Sequence, residues 1–482
     1  MAAGVARVGA RPRLPAISEP LRSLELADIE IGRRSLMLAA AALSTGCAGL
    51  LGAEPLPPIV MVHGNGDTAA LWLTTLWRFE SNGWPRDRLH AIHLPYPLAR
   101  DSDDKPQAGR TSTTDHRAYL AAEIERVLAA TGARQVVLFG NSRGGNAIRS
   151  YAMNGGAAKV SHAILGGTPN HGVRVDPASN PGNEFNGAGP FLQALNGQGA
   201  AGVEVTPGPR WMTIRSDNND KFAQPEGSWI GAPGKPTGVG FDGPELRGAL
   251  NVVIPGIDHR ETSFSPQAFS AAFQFITGRA PATTGVTREA SVVLDGQVSG
   301  LGLDNDPSKG AFATNLPLAG ATVEVYATDS ANGERQVPAR WRKTVGADGR
   351  WGPFAADGST SYEFVISAPG YAVTHIYRSP FARSSSIVHL RADRLLDADR
   401  SAGAVLSFTR PRGYFGVPRD RLVFDGIDPA PGITRDVAGL SVSKIKLPPG
   451  PPRAVVAEFN GERIVARNWP AADNHVVLLE LH

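Results

Sequence analysis

Gln135-Val136-Val137-Leu138-Phe139-Gly140-Asn141-Ser142-Arg143-Gly144 is the stretch on which the fold turns. Its first five residues form an apolar, β-branched run that reads as a buried strand. The glycines after it predict a sharp turn into a helix, with a serine at the apex. Such a turn strains the serine backbone, and larger side chains at the glycine positions would hold the helix off the strand. The pentapeptide alone is a weak signal. With 55 glycines in 482 residues, chance supplies roughly 0.4 such motifs per chain, so its surroundings must carry the argument.

Upstream, Pro58-Ile59-Val60-Met61-Val62 runs into His63-Gly64-Asn65-Gly66. This reads as a second buried parallel strand, and its glycine turn can aim a backbone N–H at a carbonyl oxygen that becomes negative during reaction. Asn65 and Arg143 are the candidate N–H donors of such an oxyanion hole, and His63 is read as structural. A serine nucleophile also needs an imidazole, and His162, His171 and His259 lie downstream of it before the first domain ends. His259 closes Gly256-Ile257-Asp258-His259, after the strand-like run Ala249-Leu250-Asn251-Val252-Val253-Ile254-Pro255. A loop at a strand's carboxyl end is where open α/β sheets carry their chemistry, so His259 is the expected base. His171, in Gly166-Gly167-Thr168-Pro169-Asn170-His171-Gly172, is a candidate for lining the site. The acid belongs between serine and histidine along the chain. There Trp211-Met212-Thr213-Ile214-Arg215-Ser216 leads into Asp217-Asn218-Asn219-Asp220. Asp220 is the expected acid, with Asp217 second and Asp176 third; its task is to hold the imidazole tautomer and stabilise imidazolium. The Asp217 to Asp220 segment lacks the spacing of a calcium loop, and no metal or cofactor is expected.

These residues together resemble the α/β-hydrolase lipases and esterases, in particular the bacterial and archaeal triacylglycerol lipases, over roughly residues 56–279. The resemblance rests on His63-Gly64-Asn65-Gly66, the Gly140 to Gly144 pentapeptide, Gly167-Thr168-Pro169-Asn170-His171-Gly172 and Asp258-His259. It implies an α/β fold with a mostly parallel sheet, and Ser142, His259 and Asp220 as nucleophile, base and acid. Asn141-Ser142-Arg143 departs from the His-Ser-Met or His-Ser-Leu of many such lipases, which leaves substrate choice open. The remaining pattern fits alternating layers. Helical character over 68–79, 115–130 and 144–153 alternates with strand runs that include 89–95. Tyr119, Leu120, Ile124, Val127 and Leu128 mark a core-facing helix stripe, with Asp115 as its expected N-cap and Gly132 as its end. Two long loops interrupt the pattern. The first, 171–201, carries the apolar island Phe191-Leu192-Gln193-Ala194-Leu195 and reads as a lid or acyl-binding flap. The second, 224–248, contributes Trp229, Ile230 and Phe241, with Phe222 just before it, to a pocket wall. Phe191, Leu195, Phe222 and Trp229 are thus candidate substrate-lining residues, and apolar lining favours acyl chains.

A chain of 482 residues exceeds one such domain. Residues 1–53 read as an export signal and leader, 54–279 as the hydrolase domain, 288–393 as a β-sandwich and 394–482 as a further β domain or an extension of it. Past Arg279-Ala280-Pro281-Ala282-Thr283-Thr284-Gly285 the pattern changes to short alternating strands. Pro317-Leu318-Ala319-Gly320 and Asp348-Gly349-Arg350-Trp351 resemble transthyretin-like or carboxypeptidase-regulatory-like modules, and one or two all-β, transthyretin-like or Ig-like domains are expected. The layout resembles archaeal long-chain lipases whose tail assists lipid binding. Arg33-Arg34 before the apolar residues 38–43 resembles a Tat-type signal. Ser44-Thr45-Gly46-Cys47 resembles a lipobox, making Cys47, the only cysteine, a candidate for lipidation and membrane attachment; cleavage after Ala48 is the alternative. The net charge of +3, with no aromatic-interleaved basic patch, gives no sign of nucleic acid, and none is expected as a partner. The expectation is an exported serine lipase or carboxylesterase acting on an acyl ester or lipid. A polyester depolymerase, an amidase, and a binding protein that no longer catalyses are the alternatives.

Overall fold

The computed structural model describes residues 56–197, 202–304, 306, 308 and 310–482; the leader, with Cys47, lies outside them. Six strands make the first sheet: β1 (Ile59–Val62), β2 (Leu89–Ile92), β3 (Val136–Asn141), β4 (Val160–Gly166), β5 (Arg210–Arg215) and β6 (Leu250–Val253). Their order is β2-β1-β3-β4-β5-β6, and every neighbouring pair is parallel. Parallel strands need long crossovers, which here carry α1 (Leu73–Ser81), α2 (Thr113–Thr131), α3 (Arg143–Tyr151) and α4 (Pro190–Asn196). The chain leaves β1 toward one edge and returns to build the other from β3. Loops after β1 and β3 therefore diverge from neighbouring strands, and a crevice opens at their carboxyl ends.

Both faces of this sheet are covered, which is why its central strands are unbroken apolar runs. Val60, Val62 and Leu138 pack with Leu120, Ile124, Val127 and Ile148 of α2 and α3. Their alternate neighbours Ile59, Met61, Val137 and Phe139 pack with Trp72, Phe79, Phe269 and Phe273. The last two belong to α6 (Pro266–Thr277), which comes after the short α5 (Glu261–Phe264). The start of α2 corrects one expectation. Its N-cap is Ser112, whose hydroxyl accepts from Asp115 N–H, while the Asp115 carboxylate accepts in return from Ser112 N–H. Asp115 is thus the third residue of a capping box, a position that satisfies a further orphan amide. Gly132 closes the helix in the left-handed conformation, as expected.

From Val292 onward the chain is built of strands. A seven-stranded sheet runs in the order 335–344, 322–328, 361–367, 373–378, 475–480, 404–409, 442–447. The strand His475–Glu480 lies parallel to and between Val373–Arg378 and Ala404–Thr409, so residues on both sides of 394 share one sheet. This β region does not stand apart from the first sheet. The aromatic cluster around α1 continues through Leu294, Val323, Trp351, Phe364 and Phe381 as one apolar core. Trp77 of α1 meets Phe381 edge-on at 6.4 Å, and its indole N–H donates to Ser384 O at 2.9 Å. Asn315 donates from its side chain to the carbonyls of Asp67 and Leu94, tying the loops after β1 and β2 to the β region.

Candidate active site

Ser142 sits between β3 and α3 with φ 52° and ψ −121°, a conformation that costs a non-glycine residue of order 1–3 kcal/mol. Close packing enforces it. A Cβ on Gly144 would lie 2.4 Å from Val62 O, and one on Gly140 would lie 2.6 Å from Gly145 N. Only glycine lets the helix start so near the strand. Ser142 N–H donates to Gly166 O at 2.8 Å, anchoring the turn to β4. Arg143 is the first residue of α3, where backbone N–H groups lack an intrahelical acceptor. Its side chain is fully buried and points away, held by Glu184 at 2.6 and 3.0 Å and by the carbonyls of Pro97 and Thr111. Burial pushes the Glu184 carboxyl up, and Arg143 opposes the shift.

The turn after β1 touches this elbow: a Cβ on Gly64 would lie 3.0 Å from Ser142 Cβ. Asn65 is pinned beside it, its side-chain oxygen accepting from Ala99 N–H at 2.7 Å. His63 is buried and structural in its contacts. Its Nε2 accepts from Leu94 N–H at 3.1 Å while Nδ1 faces Gly64 O at 2.9 Å. That pairing requires the neutral ring, and burial lowers its pKa accordingly.

His259 lies in the loop after β6, and its carbonyl accepts from Thr262 Oγ1 at 2.7 Å. Nδ1 lies 2.9 Å from both carboxylate oxygens of Asp220. Nε2 is buried and has no hydrogen-bond partner among the described residues. Ser142 and His259 line one cavity of about 270 Å³ together with Asn65, Phe222, Trp229 and Tyr414. Phe222 stands edge-on to the imidazole, ring centres 4.7 Å apart. Asp220 reaches His259 because it ends a tight turn after β5, in which its N–H donates to Asp217 O. Asp217 does not contact the imidazole. Its carboxylate accepts from Asn219 N–H and Gly256 N–H, stapling that turn to the loop before His259. Asp176 caps a local turn at Ala178 N–H in the 171–201 loop.

Of the expected lining residues, Phe222 and Trp229 face this cavity. His171 lies in an adjoining depression of about 90 Å³ that Asp220 and His259 also line, its Nε2 3.2 Å from Glu204. Phe191 and Leu195 require correction. Leu195, with Leu192, is buried in the core, and Phe191 faces a separate surface depression beside Ser102 and Asp103. Leu192 and Leu195 stand three apart on one helix face and are buried, with Phe191 half-buried at its edge, so the apolar island leaves the lining to Val173 and Phe185 earlier in the loop. Sequence reasoning missed Arg260 and Tyr414. Arg260 is adjacent to His259 and could have been found by position. Tyr414 carried no signal, being 272 residues beyond Ser142.

The parallel sheet that diverges between β1 and β3, with its strained serine after β3 and its histidine after β6, defines an α/β hydrolase. Residues 57–183 match the family model for lipases of class 2, and residues 290–395 match that of the lipase C-terminal domain; the protein is a carboxylic ester hydrolase of the lipase and esterase kind. Among solved structures, a Bacillus licheniformis lipase in its propeptide form is similar at 15% identity, covering 86% of this chain and 93% of that one, with a TM-score of 0.34. The mature form of the same lipase aligns at 19% identity over 47% of this chain and 94% of its own, with a TM-score of 0.34. A Bacillus subtilis carboxylesterase aligns at 12% identity over 47% of this chain and 86% of its own, with a TM-score of 0.28. No curated protein matches the sequence.

Proposed function

We propose that the protein is an exported serine esterase or lipase that cleaves apolar acyl esters through an acyl-enzyme on Ser142. The observation that carries this reading is the His259 imidazole, held at 2.9 Å by Asp220 through Nδ1, in a residue that lines the same cavity as Ser142. In this reading Nδ1–H is committed to Asp220, so Nε2 is the free base. It takes the Ser142 proton as Oγ attacks the ester carbonyl, and Asp220 stabilises the imidazolium formed. Backbone N–H groups of Asn65 and Arg143 receive the oxyanion. The imidazolium then protonates the leaving alkoxide, and water attacks the acyl-enzyme by the same route reversed. Phe222, Trp229, Ile230, Val173 and Phe185 along the cavity, which Asp67, Arg174 and Arg260 also line, offer an acyl chain an apolar surface.

The test is labelling of the purified protein with a fluorophosphonate probe, alongside hydrolysis of p-nitrophenyl esters of increasing chain length. Labelling and turnover that vanish in Ser142→Ala are expected, and an unlabelled wild type would defeat the reading. Preference for acetyl over long acyl would make the enzyme an esterase rather than a lipase. Export is supported by Arg33-Arg34 and the apolar run after it, and membrane attachment by the lipobox-like Ser44-Thr45-Gly46-Cys47. Palmitate incorporation by wild type but not by Cys47→Ala is expected; no incorporation by either sinks the lipoprotein reading.

A further inference from the structure

The loop after strand Ala404–Thr409, in the last part of the β region, enters the site. Asp258, the residue before His259, is fully buried, and its carboxylate accepts from Arg410 at 2.7 Å and from Tyr414 N–H at 2.8 Å. Arg410 also donates to the Tyr414 carbonyl at 2.6 Å, as Arg419 does at 2.7 Å. Glu261, at the start of α5, takes the remaining arm of Arg410 and, at 2.9 Å, one arm of Arg419. Burial works to raise the Asp258 carboxyl, but Arg410, Arg419 and the backbone donors outweigh it and hold it below the usual range. The peptide of Tyr414 and the loop of His259 are thereby fixed to the same carboxylate.

That fixation delivers the Tyr414 ring to the cavity wall beside Ser142 and His259. Two cations pack against the ring, Lys221 at 4.0 Å and Arg260 at 4.7 Å from its centre. Each cation also binds the β region: Lys221 donates to Gly439 O at 2.9 Å and Arg260 to Pro411 O at 3.1 Å. Cation and ring contacts of this kind strengthen when desolvated, and Tyr414 is 7% exposed.

We propose that Tyr414 is a specificity-determining wall of the ester site, and that Arg410 is a positioning residue setting this wall and the His259 loop in one register. The proposal rests on the reading of Ser142 and His259 given above. It makes the last ninety residues a component of the active site.

The full chain tests it with Tyr414→Ala, Tyr414→Phe, Tyr414→Trp, Arg410→Lys and Arg410→Met, each assayed across the p-nitrophenyl ester series and with the fluorophosphonate probe. Tyr414→Phe, which keeps the ring, should move the profile less than Tyr414→Ala does. Tyr414→Ala should shift relative kcat/KM between short and long acyl esters about tenfold, through KM, and Tyr414→Trp should shift it the opposite way. Arg410→Met should slow probe labelling and kcat by about tenfold or more while the protein still melts cooperatively, and Arg410→Lys should recover part of that loss. The two substitutions at 414 act in opposite directions, so a general loss of folding cannot imitate the result. Profiles within about twofold of wild type for Tyr414→Ala and Tyr414→Trp, in a chain that is labelled and active, overturn the wall and leave the role of Ser142 intact. A wild type inert to probe and esters overturns both.

Discussion

Asp220 and Asp217 stand three residues apart and do different things. Asp220 meets the His259 imidazole, whereas Asp217 is spent on backbone N–H groups. Asp220→Asn should therefore lower kcat by about 10⁴-fold, the cost of stabilising the wrong tautomer, and Asp217→Asn should cost far less. Steady-state kinetics of the two variants check this; equal small losses would refute Asp220 as the acid. Gly144→Ala is the second test at single positions. Its new methyl would lie 2.4 Å from Val62 O, a backbone atom inside the sheet that cannot yield. The expected outcome is loss of probe labelling together with a lowered melting temperature, measured side by side; a fully labelled and equally stable variant would contradict the packing described.

The elements owe their positions to short-range rules that the sequence displays. Unbroken apolar runs form the central parallel strands, and Ser112 and Asp115 together close the amino end of α2. The turn carrying Asp217 to Phe222 is less self-sufficient, since Lys221 is half-buried against Tyr414 and lowered to about 8. Burial penalises its charged form, while the unfolded chain keeps an ordinary lysine near 10.4. Between those values the unfolded state binds more protons, so this group makes wild-type stability rise with pH through that window. Lys221→Met removes the contribution. Thermal melts from pH 7.5 to 10 should show a shallower rise for the variant than for wild type, and parallel curves would refute the assignment.

The chain from Leu56 onward behaves as one compact unit. The aromatic core under α1 is completed by Phe381, Phe364 and Trp351 of the β region, and a chain ending at residue 287 would expose Trp77 and its neighbours to water. Such a truncation is expected to be insoluble or to melt without cooperativity, and Trp77→Ala in the full chain should cost about 3–5 kcal/mol. Soluble yield and denaturant unfolding measure both. A truncated chain that stays soluble, unfolds cooperatively and takes the probe would show the hydrolase part to be separable.

Much of the candidate site is legible in the sequence. Ser142, His259 and Asp220 each come after a strand run, and the carboxyl end of a parallel strand delivers its loop to one edge of the sheet. Phe191 and Leu195 mislead because an apolar island in a loop looks alike whether it lines a cavity or fills a core; only the packing around α4 tells the two apart. Asp115 misleads because either residue of a capping box resembles an N-cap. Local pattern, then, determines the strands, the elbow and the order of its partners, since each depends on residues a few positions apart. The tertiary structure alone decides the company they keep. Arg410, Tyr414 and Gly439 reach the His259 loop and the turn before it from far along the chain, and no periodicity or spacing encodes a contact that exists only once two sheets have packed together.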